Sequence, residues 1–409
     1  MTSHRVRRIT LVAAAFLLVP LGCDCEFLVG IGSPPPAPGG SMGTGGSPAP
    51  TEPETEAPPH VALGSYHDCA APADGVVRCW GTDNSAGNLG DGTVDSHLDP
   101  RPVVGLSSVT DLQASYQFGC AQSDGTYWCW GSDYYGQFGD GRSGNGLIAT
   151  VPTQAFGGAA LKQLALGEYH TCALLPDDTV ACTGLNYGGQ LGNGSTDWDD
   201  HTTLAAVPGL ANVRQVVAGG AFACALLDDH TVTCWGTNAN ADICSGTNVI
   251  HPSPTAIPGV VGVQKIAAGG SQACVLLSDR TVTCWGGNFY GQLGSPSSGS
   301  CPDYQHGPQK VSGLTDVAQV VTGEAHTCAL REDGAVLCWG YNKYGQLGDG
   351  TTTDRASPTA VTGLSGVVRL VAGGDQTCAI VADGSVLCWG AFPFDDPPPS
   401  ALHPQPITF

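Results

Sequence analysis

Seven pairs of cysteines recur along this chain about every fifty residues. The first members are Cys69, Cys120, Cys172, Cys224, Cys274, Cys328 and Cys378, at spacings of 51, 52, 52, 50, 54 and 50 residues. Their partners are Cys79, Cys129, Cys182, Cys234, Cys284, Cys338 and Cys388. Self-similarity at this period marks a repeat architecture, in which each unit buries a face against its neighbours.

The clearest copy gives the plan of one unit. Val317–Gly323 reads as a strand entering a glycine, followed by Thr327-Cys-Ala-Leu330 and the turn Glu332-Asp333-Gly334. Ala335-Val-Leu-Cys-Trp-Gly340, the loop Tyr341–Gly350 and a closing Pro358-Thr-Ala-Val361 complete it. This is four short strands divided by turn signals. Repeated radially, such units form a β-propeller, which hides sheet edges between blades. With Gly334 in the left-handed region of a three-residue loop, Cys328 falls opposite Cys338. In the second copy the spacing drops to nine, and the turn shortens to Asp124-Gly125, so Cys120 still faces Cys129. The deletion lies in the turn and the pairing survives it.

Composition agrees with β-structure. Glycine and proline number 59 and 29 of 409 residues, charged residues make up 12%, and there are two methionines. Coiled coils and most helical solenoids need far more Glu, Lys and Arg. The net charge is −21. Without Arg5, Arg7 and Arg8 of the first segment, 12 cations face 36 acids, giving −24. Such a surface repels nucleic acid and anionic membranes.

That first segment reads as a leader. Arg5-Val-Arg7-Arg8 precedes an apolar run, Ile9–Leu21, too short to span a bilayer. It ends in Leu21-Gly22-Cys23, similar to a bacterial lipobox, so Cys23 is the expected lipidation site, with Pro20 a departure from the motif and the fate of Cys25 open. Residues 1–22 are therefore expected to be a signal peptide, 23–60 a Pro/Gly/Ser/Thr/Glu-rich tether and 61–409 the propeller. The protein is expected at the cell envelope or outside the cell, with the lipid as its only membrane contact.

Facing cysteines in an exported protein oxidise. Each bridge closes a loop of about eleven residues, worth roughly 2.8 kcal/mol in the chain-entropy account. Cys244 and Cys301 stand outside the pattern, in the loops after Trp235-Gly236 and Trp285-Gly286. They are expected to form an eighth bridge between neighbouring copies.

The string His-Thr-Cys-Ala-Leu, Asp-Gly, Cys-Trp-Gly, Tyr-Gly-Gln-Leu-Gly-Asp-Gly stands most fully at His326–Gly350. It resembles the repeat of the RCC1 (regulator of chromosome condensation) family, over 349 of the 409 residues. The resemblance implies an all-β, seven-bladed propeller. Copy three departs by carrying Thr183-Gly184 for Trp-Gly, and copies four and seven lose the Gly-Gln-Leu-Gly loop. The family's namesake is a chromatin-bound guanine-nucleotide exchange factor, which gives an alternative function. None of its catalytic loop residues is matched here. Secreted bacterial members, among them a β-lactamase inhibitor, dock proteins on the propeller face.

Two residues before each first cysteine stand His67, Phe118, His170, Phe222, Gln272, His326 and Gln376. These are read as packing within their own blades rather than as metal ligands. Asp-Gly pairs such as Asp91-Gly92 and Asp349-Gly350 are read as turns. No nucleophile–base motif or phosphate-cradling loop occurs. The expectation is a non-enzymatic, monomeric binding scaffold with no cofactor or metal, docking a protein or glycan. Loops that break the repeat are where a partner is read: Trp198 and His201, Tyr134 and Tyr135, Phe289 and Tyr290, Phe392 and Phe394. Residues around Ile407 are expected to complete or flank the blade containing Val61, closing the ring.

Overall fold

Seven four-stranded antiparallel sheets carry the seven copies, one sheet per copy, with strands ordered as in the chain. The computed structural model describes residues 59–144, 146–237, 250–295, 308–391 and 402–409. The leader, Cys23, Cys25, most of the tether, Cys244, Cys301, Phe392 and Phe394 lie outside the described residues. Among the described residues no helix is long and apolar enough to cross a membrane.

Blade 6 shows the plan, with strands Val317–Thr322, His326–Arg331, Val336–Gly340 and Arg355–Ala360. The first strands of all seven blades line an axial channel. The hairpin register is as expected. Gly334 has a φ of +82° and Cys328 stands opposite Cys338. In blade 2, Asp124 and Gly125 have φ of +51° and +74°, and Cys120 faces Cys129. All seven intra-blade bridges are formed and fully buried. They call for an oxidising environment.

The core lies between blades, and the repeated loop builds it. In blade 6 the Asn342 Oδ1 accepts from Leu347 N–H at 3.0 Å, and the Gln346 Oε1 accepts from Tyr344 N–H at 3.0 Å. So held, the loop buries Leu347 and aims the Gln346 carbonyl at blade 7. There it accepts from Trp389 Nε1–H at 2.9 Å and Thr377 Oγ1–H at 3.1 Å. Gln292 serves Trp339, Gln190 serves Trp235 and Asn88 serves Trp130 in the same way. The tryptophans are seam core, and truncating one should cost about 3–5 kcal/mol. Trp285 follows a copy that lost this loop, and its buried Nε1–H has no partner among the described residues.

Blade 3 solves its missing tryptophan locally. Thr183 Oγ1–H donates to the Gly136 carbonyl at 2.9 Å. Phe156, from the connection between blades 2 and 3, supplies the ring. A Cβ on Gly139 would lie 2.9 Å from Phe156, just as one on Gly90 would lie 2.9 Å from Trp130.

Side-chain amides join the first strands. Gln215 Nε2–H donates to the Ile266 carbonyl at 2.9 Å while its Oε1 accepts from Ile266 N–H at 3.2 Å. Gln319 makes the same pair with Leu370 at 2.9 and 2.8 Å. Each glutamine thus acts as one rung of sheet between strands that do not pair directly.

The expectation for the residues two before each cysteine needs correction. Two of them reach across the seam rather than staying within their own blades, while Phe118 packs on Phe138 of its own copy. His326 Nε2 bonds Thr377 Oγ1 of the next blade at 2.8 Å, and Gln272 Nε2–H donates to the Gly323 and His326 carbonyls at 3.1 and 3.2 Å. The cause is the glycine three residues earlier in six of the seven copies. It lets neighbouring backbones approach so closely that a Cβ on Gly269 would lie 2.1 Å from the Gly323 carbonyl oxygen.

The ring closes at its ends. Gln405–Pro406 forms the fourth strand of blade 7, pairing with Cys388 and Leu387. Ile407 and Phe409 then pack with Val61, Leu63 and Trp80 of blade 1. The terminal segment completes blade 7 and flanks blade 1.

Candidate docking face and axial well

Antiparallel order puts two sets of connections on one face. Those joining first to second strands surround the axis, and the long ones joining third to fourth strands surround them. The opposite face carries short turns, closed locally. Asp177, Asp229, Asp279 and Asp383 each accept from the backbone N–H two residues on. Those bonds hold the four exposed carboxyls below their ordinary range, with side-chain hydroxyls the largest cause.

Every described aromatic named above as a binding candidate emerges on the long-loop face. Trp198 is 79% exposed and stacks on Tyr187, centroids 5.2 Å apart. His201 beside it is half-buried, its Nε2 bonded to Asp197 Oδ1 at 2.8 Å. Phe289 and Tyr290 are 54% and 42% exposed. Tyr290 packs on Tyr341 at 4.4 Å, and Tyr341 on Tyr344 at 6.2 Å. Tyr134 and Tyr135 are half-buried. The structure brings Tyr135 into an edge-to-face chain with Tyr169, Tyr116 and Tyr66, at 5.3, 5.6 and 5.1 Å in turn.

At the centre of this face the channel opens into a well of about 350 Å³. Its wall is the short connections of all seven blades. Hydrogen bonds pass between them: Glu168 N–H to the Gly220 carbonyl at 3.2 Å, Gly220 N–H to Gly270 at 3.0 Å, and Glu324 N–H to Gly374 at 2.8 Å. In blade 2 a serine takes the glycine position, and Ser115 Oγ–H donates to the Gly167 carbonyl at 2.5 Å. Three acids, Glu168, Glu324 and Asp375, and two phenols, Tyr66 and Tyr116, line the well, with Tyr169 packed against Tyr116 behind them. Burial raises the Glu324 carboxyl above its ordinary value, and the negative charges of Glu168 and Asp375 add to that. Asp375 is raised by burial too, although Gln346 Nε2–H donates to it at 3.0 Å. Tyr66 is pushed up to about 12, first by its hydrogen bond with Tyr116 and then by burial.

The well escaped the sequence reading because its residues break no motif. They fill the two free positions between the strand-ending glycine and the seam residue: Ser65-Tyr66, Tyr116-Gln117, Glu168-Tyr169, Gly220-Ala221, Gly270-Ser271, Glu324-Ala325, Gly374-Asp375. Unlike residues at equivalent positions of a regular repeat were the available signal.

The RCC1-like domain family matches residues 159–393, more than half of the chain. The chain belongs to the RCC1-like family. Among RCC1-like relatives, it is 28% identical to the ultraviolet-B receptor UVR8 of Arabidopsis thaliana over 323 residues, 75% of this chain and 71% of that protein. It is 29% identical to the human E3 ubiquitin-protein ligase HERC2 over 330 residues, 77% of this chain but 6% of that protein. Human WBSCR16 shares the fold with a TM-score of 0.68 at 24% identity, over 79% of this chain and 86% of that one. Prp20p of Saccharomyces cerevisiae, whose binding to Gsp1p and histones is described, superposes with a TM-score of 0.65 at 22% identity over 77% and 80%. RCC1-like propellers as a class bind and regulate proteins.

Proposed function

We propose that this RCC1-like propeller is a non-enzymatic scaffold, exported and tethered through Cys23, that docks a protein on its long-loop face. One observation carries the reading: the irregular aromatics of blades 2, 3 and 5 all emerge on that face, around the axial well. Exposed Trp and Tyr are the usual anchors of protein interfaces. The test is cross-linking of the full chain to envelope extracts, with partners identified by mass spectrometry. Trp198→Ala and Phe289→Ala should each abolish a specific cross-link. Val261→Ser, on the opposite face and 67% exposed, should leave it intact. Equal capture by all three variants refutes the reading.

The Tyr187–Trp198 stack also favours a second reading, a glycan platform, since a flat aromatic beside Asp197 and Asp199 suits a sugar ring. Trp198 fluorescence shifting saturably with a neutral oligosaccharide, and not with a basic peptide, would favour it.

A further inference from the structure

We infer that the axial well is a socket for one lysine or arginine side chain, presented by a protein partner seated on the long-loop face. This deepens the docking reading and rests on it.

The chemistry of the occupant follows from four observations. The cavity is real space, about 350 Å³, and it opens on the face that carries the exposed aromatics. Its carboxylates stand on different blades, and the described residues offer no cluster of three His, Cys, Asp or Glu able to hold a metal ion. Groups spread this widely suit a large organic cation, which can touch several carboxylates at once and lay its stem against tyrosine rings. Among the described residues nothing cationic fills the place. Of the twelve cations beyond the first segment, Arg142, Lys343 and Arg355 alone stand on the long connections or their rim. Arg142 and Arg355 are ion-paired to Asp140 and Asp349, and Lys343 lies over the Tyr344 ring.

The channel below fixes the direction of approach. Beneath the acids its waist is mostly apolar, formed by Ala114, Ala218, Ala268 and Ala372 with Leu63, Leu166 and Thr322. Toward the start of the first strands stand Lys265 and the half-buried Arg369, the latter under the charge of Asp111. A cation entering from the acidic end therefore meets the carboxylates first, with a narrow waist of mostly apolar residues below them. Burial, and after it the charges of Glu168 and Asp375, raise the Glu324 carboxyl, and an incoming cation offsets both.

The test uses the full chain labelled with 3-fluorotyrosine and read by fluorine NMR. The probes are acetyl-Gly-Lys-Gly-amide and its Nε-acetyl-lysine counterpart. The lysine peptide should shift the Tyr66 and Tyr116 resonances saturably in the millimolar range. The acetylated peptide should bind at least five-fold more weakly. Glu324→Gln combined with Asp375→Asn should weaken the lysine peptide at least five-fold, while Val261→Ser on the opposite face leaves it unchanged. Equal shifts from the two peptides overturn the socket without any variant having to fold. Saturable shifts of the same tyrosines by sub-millimolar calcium chloride overturn it as well. Neither outcome touches the docking reading, which stands or falls on the Trp198 and Phe289 cross-links.

Discussion

Replacing His170 by phenylalanine should remove part of the protein's sensitivity to acid. The His170 ring is fully buried at the seam between blades 3 and 4, and no normal hydrogen bond closes on either ring nitrogen. Burial lowers its pKa from 6.5 to about 4, against a smaller upward pull from the Phe222 backbone. The folded state thus holds a neutral ring over a range where the unfolded chain binds a proton. Stability from this group is complete above pH 6.5 and is lost as pH falls toward 4. Between pH 7 and pH 5 the loss is about 2 kcal/mol, since one pKa unit corresponds to about 1.4 kcal/mol. Phenylalanine fits, because Phe222 occupies the same place in the next blade. A Cβ on Gly219 would lie 2.1 Å from its Cε1, and one on Gly167 would lie 2.1 Å from the His170 Cε1. Urea unfolding of both proteins at pH 7 and pH 5 isolates the effect. Buried acids such as Asp68, raised to about 8 by burial, titrate in both and cancel. Equal pH dependence in variant and parent would refute the neutral buried ring.

Three further outcomes are expected. Asp68→Asn should lessen the fall in stability between pH 7 and pH 9 by about 1 kcal/mol, because an acid held protonated to about pH 8 by burial loses stability as pH rises, which urea midpoints at both pH values will show. Gly269→Ala should cost about 3 kcal/mol or more, its Cβ lying 2.1 Å from the Gly323 carbonyl, whereas Gly334→Ala, with open space around it and a φ of +82°, should cost about 1–2 kcal/mol of backbone strain; equal costs by denaturant unfolding would dismiss the close-approach argument. Truncation after Pro399 should lower the unfolding temperature of the whole ring, since it removes Ile407 and Phe409 from Val61 and Trp80; an unchanged temperature would mean the seam is sealed by other contacts.

The scaffold was legible because it is written seven times. A turn shortened by one residue at Asp124-Gly125 kept its cysteines in register, which only a hairpin explains. The seam contacts were less legible. His326 touches Thr377, 51 residues away, and no local pattern distinguishes that from a bond within the blade. Phe156 taking the place of a missing tryptophan was invisible for a related reason: it arrives from the preceding connection with a φ of +54°. The loop candidates Trp198, Phe289 and Tyr290 were found by their irregularity, and their shared face follows from strand order alone. The well was missed because Glu168, Glu324 and Asp375 are scattered over more than two hundred residues and meet only at the axis.

Each blade is one unbroken stretch of chain, and closure depends on side chains rather than on a shared sheet. The place where the ring is cut is therefore arbitrary as far as hydrogen-bonded pairing is concerned. Joining residue 409 to residue 60 through a short linker and opening the chain at Pro258-Gly259, between blades 4 and 5, would leave every four-stranded sheet intact. Such a circular permutant would present the docking face and well unchanged. It would also move the chain's free end around the rim, so the direction in which a bound partner faces becomes separable from what is bound.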